Sequence, residues 1–376
     1  MNKLNSKNHL FIKNEKCTEK LVIFFSGTDK DNGKFDFYNI AKNCNHSFLL
    51  LNNGKNEWYQ NGIPSLGKNL DETIKFIKEL ISIYAFKKVY CVGMSMGGYG
   101  ACLYGTFLNA AVLAFGFDSL LHTPGSRSFK RLKKVHSPDL ADLYPLIQKS
   151  NIDLTSIAGE CDALDLYSCN RLSKLPNVKS ISISGVGHGV PPFIKKNYNL
   201  QDFIDNWLSD VGITKISEST DNYSANDLVC YIYNMHLKFI KKDWEGIINS
   251  ISESNYRILY HEYVNYMIGV SYLETNHVDL SIQYLTKSVA IAPHFPGARY
   301  RLARALMKKG LLNYALIHLE KHTLISEKPA YSHLFLSDIY MHKNDLDSAN
   351  KHLLIAENLG VPEEKIHQRR KKISLN

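Results

Sequence analysis

Residues 87–105, Lys-Lys-Val-Tyr-Cys-Val-Gly-Met-Ser-Met-Gly-Gly-Tyr-Gly-Ala-Cys-Leu-Tyr-Gly, constrain the fold of this chain more than any other stretch. Residues 89–92 are a short apolar run that reads as a buried strand, and from Met96 to about Tyr104 small and apolar residues recur at helical spacing. Between them Gly93-Met94-Ser95-Met96-Gly97 matches the pattern G-x-S-x-G. A strand that turns at once into a helix forces the residue at the bend into a strained conformation, and side chains at 93 and 97 would collide there. Such a turn exposes the Ser95 hydroxyl above a sheet, at a helix N-terminus whose free N–H groups favour negative charge. Ser95 is the candidate nucleophile.

The flanking chain supplies the sheet. Residues 21–25 form a continuous apolar run ending in Ser26-Gly27-Thr28-Asp29, and residues 47–51 form a second, ending at Asn52-Asn53-Gly54. Residues 69–84 carry apolar side chains at 70, 74, 77, 80, 81 and 84, the stripe of an amphipathic helix. Residues 110–115 and 152–158 read as buried strands; residues 178–183 alternate and end at Gly185-Val186-Gly187-His188-Gly189. Residues 200–208 close this half as a helix. Buried strands alternating with helices predict a parallel sheet covered on both faces. Functional groups in such folds sit at the C-terminal strand ends, and Ser95, Asp118, Asp162 and His188 each follow one.

The order Ser, Asp, His, with Gly-Met-Ser-Met-Gly-Gly, Gly159-Glu160-Cys161-Asp162 and Gly187-His188-Gly189, resembles the α/β-hydrolase superfamily over roughly residues 20–208. The resemblance implies a Ser95 nucleophile, His188 as the base that takes its proton, and Asp162 as the acid that fixes the histidine tautomer. Asp165, one helical turn on, and Asp118, after the preceding strand, remain open as that acid. An oxyanion would meet the Met96 amide and an amide of the loop after the first strand, Gly27 or Thr28; many members carry His-Gly there, where this chain has Ser26-Gly27. Trp58 and Tyr59, in the loop after the second strand, are placed to stack on a sugar or an acyl group. Residues 119–150 occupy the position of a cap and hold Arg127, Lys130, Arg131, Lys133, Lys134 and His136. Arg131 and Lys134 are its candidates for holding an anionic substrate, such as a charged glycan or coenzyme A phosphates. No Gly-Lys-Ser/Thr loop, third dinucleotide-binding glycine or metal-ligand spacing is present, so no metal site is expected.

After a polar stretch at 209–224, read as a linker, the pattern becomes helical throughout. Gly269, Ala303 and Ser337 are spaced by 34 residues, as are Ser281, Ala315 and Ala349, and Leu285, Leu319 and Leu353. Pro293, Pro329 and Pro362 close the units, and an earlier, degenerate unit at 228–254 contains Trp244. Residues 225–362 resemble tetratricopeptide repeats, whose paired helices need small residues where they touch. The resemblance places Tyr263, Tyr266, Tyr300, Arg304 and Tyr331 along a groove for a peptide, glycan or protein partner.

The bulk properties set limits. A chain of 376 residues is long for one domain, and the expected division is 1–208, linker 209–224, and 225–376. The net charge of +9 is spread through a chain that is 22% charged, which is not a nucleic-acid signature. Seven scattered cysteines (17, 44, 91, 102, 161, 169, 230) without a C-x-x-C pair favour a reducing compartment. With no signal-peptide core and no run of 18 apolar residues, the chain is expected to be cytoplasmic and without a transmembrane segment. The expected reaction is acyl transfer through a Ser95 ester, as a carboxylesterase or as an O-acetyltransferase with acetyl-coenzyme A as donor. The latter follows a likeness to hydrolase-fold proteins of bacterial surface-polysaccharide synthesis. The alternative is a non-catalytic scaffold that binds through the repeats.

Overall fold

The computed structural model describes residues 3–16, 19–209, 211–253 and 256–373; Cys17 lies outside them. The chain forms two compact units, Met1–Leu237 and Lys238–Asn376.

The strands of the first unit are β1 (Lys3–Asn5), β2 (His9–Ile12), β3 (Lys20–Phe25), β4 (Ser47–Leu51), β5 (Lys88–Met94), β6 (Ala111–Phe115), β7 (Leu154–Gly159), β8 (Val178–Ile183) and β9 (Ser219–Thr220). They build one sheet in the order β1-β2-β4-β3-β5-β6-β7-β8-β9. The six strands from β4 to β8 in that order pair in parallel, while β1, β2 and β9 add antiparallel edges. Its helices are α1 (Tyr38–Asn43), α2 (Leu70–Ile83), α3 (Met96–Leu108), α4 (Arg127–Arg131), α5 (Pro138–Ala141), α6 (Leu143–Gln148), α7 (Ala163–Leu172), α8 (Val190–Asn197) and α9 (Leu200–Leu208); α10 (Asn226–Ile240) carries the chain onward.

Period-two alternation assigns each side chain of β3 to one of two cores. Leu21, Ile23 and Phe25 join Ile77 of α2, Leu103 of α3 and Ile147 of α6 on one face. Val22 and Phe24 join Ala41 of α1, Ile194 of α8 and Phe203 of α9 on the other. All five β3 residues have no exposed surface. Burying each such side chain contributes about 1.5–3 kcal/mol, so the central strands are fixed in register and the loops at their C-terminal ends are held in place.

Residues 209–224 are not a free linker. Within them β9 pairs with the edge of β8, Thr220 opposite Ser182 and Ser219 opposite Ile183. The physical reason is Glu160, fully buried at the end of β7. Its carboxylate accepts from Ser182 Oγ at 2.7 Å, from Thr220 Oγ1, and from Asn222 Nδ2 at 2.9 Å. A buried carboxylate must be hydrogen-bonded, and those donors draw the segment onto the sheet. The division between units accordingly falls after Leu237 rather than at 208–225.

The second unit contains α11 (Trp244–Asn249), α12 (Glu262–Glu274), α13 (Val278–Ile291), α14 (Pro296–Lys308), α15 (Leu312–Ile325), α16 (Ala330–His342), α17 (Leu346–Asn358) and α18 (Glu363–Ile373). The first helices of three successive pairs begin at 262, 296 and 330 and the second at 278, 312 and 346, which reproduces the 34-residue period. Small residues stand where paired helices meet: a Cβ on Gly269 would lie 2.6 Å from Leu285 Cγ. Ser281, Ala303, Ala315, Ser337 and Ala349 have no exposed surface. Among the described residues no helix is long and apolar enough to cross a membrane.

Candidate active site

Ser95 sits between β5 and α3 with φ 59° and ψ −127°, a conformation rarely adopted outside glycine. Its N–H holds it there by donating to the carbonyls of Phe115 at 3.0 Å and Gly116 at 2.9 Å. The tightness of the turn explains Gly93, whose added Cβ would lie 2.1 Å from the Gly97 carbonyl oxygen. No side chain caps α3, so the amides of its first turn, Met96 foremost, keep the unpaired donors of a helix N-terminus.

His188 follows β8, and its Nδ1 lies 2.7 Å from Oδ2 of Asp165. Asp165 belongs to α7 and its side chain is fully buried; that of His188 is about one-fifth exposed. Gly116 ties this pair to the serine. A Cβ there would lie 2.4 Å from Asp165 Oδ2 and 3.1 Å from His188 Nδ1, on the residue whose carbonyl anchors the Ser95 backbone. Only a glycine, here with φ +39°, lets the pair approach so closely. Among the described residues no hydrogen bond joins Ser95 to His188; the two are brought together through Gly116.

Asp162, expected as the acid partner of His188, has another job. It is the N-cap of α7, where Oδ1 accepts from the amides of Leu164 and Asp165 at 3.1 Å each. Its Oδ2 receives Nη2 of Arg127 at 2.7 Å. One helical turn on, Asp165 faces His188 instead, so the histidine partner in this structure is Asp165. Asp118 takes neither role: its Oδ2 accepts from the Ser128 amide at 2.7 Å and fastens α4 to the end of β6.

The charges follow this division. Burial alone would depress the His188 imidazole, but the charge and hydrogen bond of Asp165 outweigh it and raise its pKa above the ordinary value. Burial would raise the Asp162 carboxyl, yet the Arg127 guanidinium overcomes it and holds the group down at about 2. Asp162, Asp165 and His188 each offer a ligand atom within 4.8 Å of the others. The Arg127 cation already stands against both carboxylates, so a metal ion would have to displace it.

Other expected site residues are placed differently. The Gly27 amide donates to Asp36 Oδ2 at 2.8 Å, while the Ser26 carbonyl accepts from the Tyr59 hydroxyl at 2.7 Å. The 26–27 peptide is thus clamped at both ends, and Gly27 is not a free donor for an oxyanion. The next amide, Thr28, has no protein acceptor among the described residues. Trp58 is 1% exposed and Tyr59 not at all, so neither can stack on a substrate. Tyr59 instead packs edge-on against Phe25 and Tyr104, which its satisfied hydroxyl permits. Arg131 is exposed and ion-paired with Asp29, beside Thr28; Lys134 is exposed. The 57–62 loop meets the 119–150 segment where Gln60 Oε1 accepts from the His136 amide at 3.1 Å and Asn61 Nδ2 lies 2.9 Å from His136 Nε2.

Among the expected groove residues, Tyr263 is buried and stacks on Tyr266, and Tyr300 packs between His322 and Phe335. Those three are packing residues. Arg304 is half-buried, and Tyr331 is exposed with Lys365 Nζ 4.7 Å from its ring centre.

In the sequence Arg127 is one of a run of basic residues, and Asp165 stands beside Asp118 as an alternative to Asp162. The signal for Asp165 was available. An aspartate directly before a helical apolar pattern is a capping residue, which leaves the acid three positions on for other work.

No protein-family profile and no curated protein matches the sequence. Solved structures of two kinds resemble it, all at low identity. One is Pyrococcus horikoshii acylaminoacyl peptidase, with TM-score 0.42 and 13% identity over 58% of this chain and 42% of that one. A second is an α/β hydrolase enzyme from the metagenome of sediments from the lagoon of Mar Chica, Morocco, with TM-score 0.38 and 17% identity over 56% of this chain and 99% of that one. A third is YrrB, a TPR protein with an unusual peptide-binding site, with TM-score 0.35 and 14% identity over 56% of this chain and 93% of that one.

Proposed function

We propose that the first unit is a serine-nucleophile acyl-transfer enzyme of α/β-hydrolase type, with Ser95, His188 and Asp165 as its triad. The observation that carries this reading is the strained Ser95 turn, anchored on the glycine against which the His188–Asp165 pair packs. In the proposed reaction His188 Nε2 takes the Ser95 hydroxyl proton as Oγ bonds to the carbonyl carbon of an ester or thioester. The carbonyl oxygen becomes an oxyanion near the Met96 amide, with Thr28 as the second donor. The tetrahedral intermediate then expels the alcohol or thiol, which leaves with the proton from His188. The acyl group stays on Ser95 until water or a sugar hydroxyl, deprotonated by His188, accepts it. Water makes the protein a carboxylesterase; a glycan acceptor, with acetyl-coenzyme A as donor, makes it a polysaccharide O-acetyltransferase. The repeat unit is proposed to bind a peptide, glycan or protein partner.

Labelling with a fluorophosphonate tests the reaction class. The full-length protein is expected to label, Ser95→Ala to abolish labelling, and His188→Ala to slow it at least about a hundredfold. A folded wild type that takes up no label would leave only the scaffold reading. Turnover of acetyl-coenzyme A with and without glycans then separates the acceptors. Equal turnover without a glycan would exclude the transferase.

A further inference from the structure

The side chains around Asp165 pose a charge problem that the triad alone does not solve. Asp165 is fully buried, and while its Oδ2 meets His188, its Oδ1 is buried with no hydrogen-bond partner among the described residues. Asp162 brings a second carboxylate into the same cluster. Two carboxylates beside one imidazole favour its protonated form, which cannot serve as a base. Arg127 faces both: its Nη2 lies 2.7 Å from Asp162 Oδ2 and its Nη1 3.5 Å from Asp165 Oδ1.

Arg127 is itself held firmly. It opens α4, whose N-cap Ser126 accepts from the Phe129 amide and whose Ser128 amide donates to the buried Asp118. Ser128 Oγ in turn accepts from the His122 amide at 2.9 Å. The helix that carries the guanidinium is therefore pinned to the end of β6, the strand that also presents Gly116.

We infer that Arg127 is a positioning residue: its guanidinium bridges Asp162 and the outer oxygen of Asp165, aligns Asp165 on His188 and balances the carboxylates facing that histidine. The inference rests on the proposed triad. The charged and titratable groups coupled to the cluster are Asp162 at the N-cap of α7, Asp165 and Cys169 within α7, Arg127 from α4, Asp118 after β6 and His236 from α10, on which Lys130 of α4 also acts. His236 is kept towards its neutral form by burial. For His188 the Arg127 charge opposes protonation, whereas Asp165 and Asp162 promote it.

The test reads His188 directly. In full-length protein labelled with 15N-histidine, the midpoint of the His188 ring shifts is followed against pH for wild type, Arg127→Gln and Asp162→Asn. The midpoint should rise by about one pH unit in Arg127→Gln and fall in Asp162→Asn. The second variant loses a carboxylate and leaves the guanidinium to Asp165 alone. In parallel, the fluorophosphonate rate of Arg127→Gln should drop about tenfold near pH 6 and recover by pH 9, because one pH unit is a factor of ten in the neutral imidazole. A purely structural role would lower the rate at every pH. Unmoved midpoints would overturn the inference. If Arg127→Gln does not fold, Asp162→Asn decides alone, and an unmoved midpoint there overturns it too. The titration needs no reaction at Ser95. A protein that titrates as expected but takes no label loses the nucleophile reading alone, and one that labels with fixed midpoints loses only the role of Arg127.

Discussion

A carboxylate that caps a helix has one oxygen committed to backbone amides and its orientation set by them. Asp162 is in that position, with its other oxygen on Arg127, whereas Asp165 sits one turn further along with an oxygen on His188. The two should respond differently to the same substitution. Asp165→Asn is expected to lower kcat by as much as about four orders of magnitude, through loss of the imidazole orientation; Asp162→Asn should change it less than about tenfold at pH 8. Steady-state kinetics on any ester that turns over would check this, and equal losses would return Asp162 to the triad. Asp162 should instead govern acid stability. Its folded pKa of about 2 lies below the unfolded value, so its stabilisation is complete above the usual carboxylate range and lost as pH falls from about 4 towards 2. Asp162→Asn should flatten the melting temperature across that window. His188 runs the other way: with a raised folded pKa, its contribution is complete below about pH 6.5 and lost as pH rises through the folded value.

At the scale of elements, the bend from β5 into α3 has no room for a Cβ at Gly93 or Gly97. A methyl group on Gly97 would lie 2.2 Å from the Phe25 carbonyl oxygen, a backbone atom of the neighbouring strand. Gly97→Ala should therefore cost about 1–3 kcal/mol or more, read as a lower denaturation midpoint. Five of the parallel strands were legible as buried apolar runs because both their faces are covered: β3 through β7 lie where such runs predict them, and β8 where the sequence alternates. The edges were not. Strands β1, β2 and β9 have two to four residues each, and Lys3, Asn5, His9 and Ser219 interrupt any apolar run. The 57–62 loop misled for a related reason: an aromatic pair after a strand end looks the same whether it faces substrate or core. The Ser26 carbonyl that satisfies the Tyr59 hydroxyl is 33 residues away in sequence.

On the scale of the whole molecule, each unit has its own core, and in the second the packed helices recur with the 34-residue period. Ala315 has no exposed surface, and its enlargement in Ala315→Leu should destabilise that unit by about 1–3 kcal/mol. Hydrogen exchange should quicken in α13 to α16 while the amides of β3 to β7 keep their protection; a uniform change would show that the units unfold together.

The donors that Thr220 and Asn222 extend to Glu160 determine where this polypeptide can be cut. A product ending at residue 208 would retain Ser95, Asp165 and His188, the proposed triad, yet strip the buried Glu160 of two partners and open the edge of β8 to a second molecule. Ending it after Leu237 keeps that edge closed. Fragments that stop short should precipitate, and their inactivity would say nothing about Ser95.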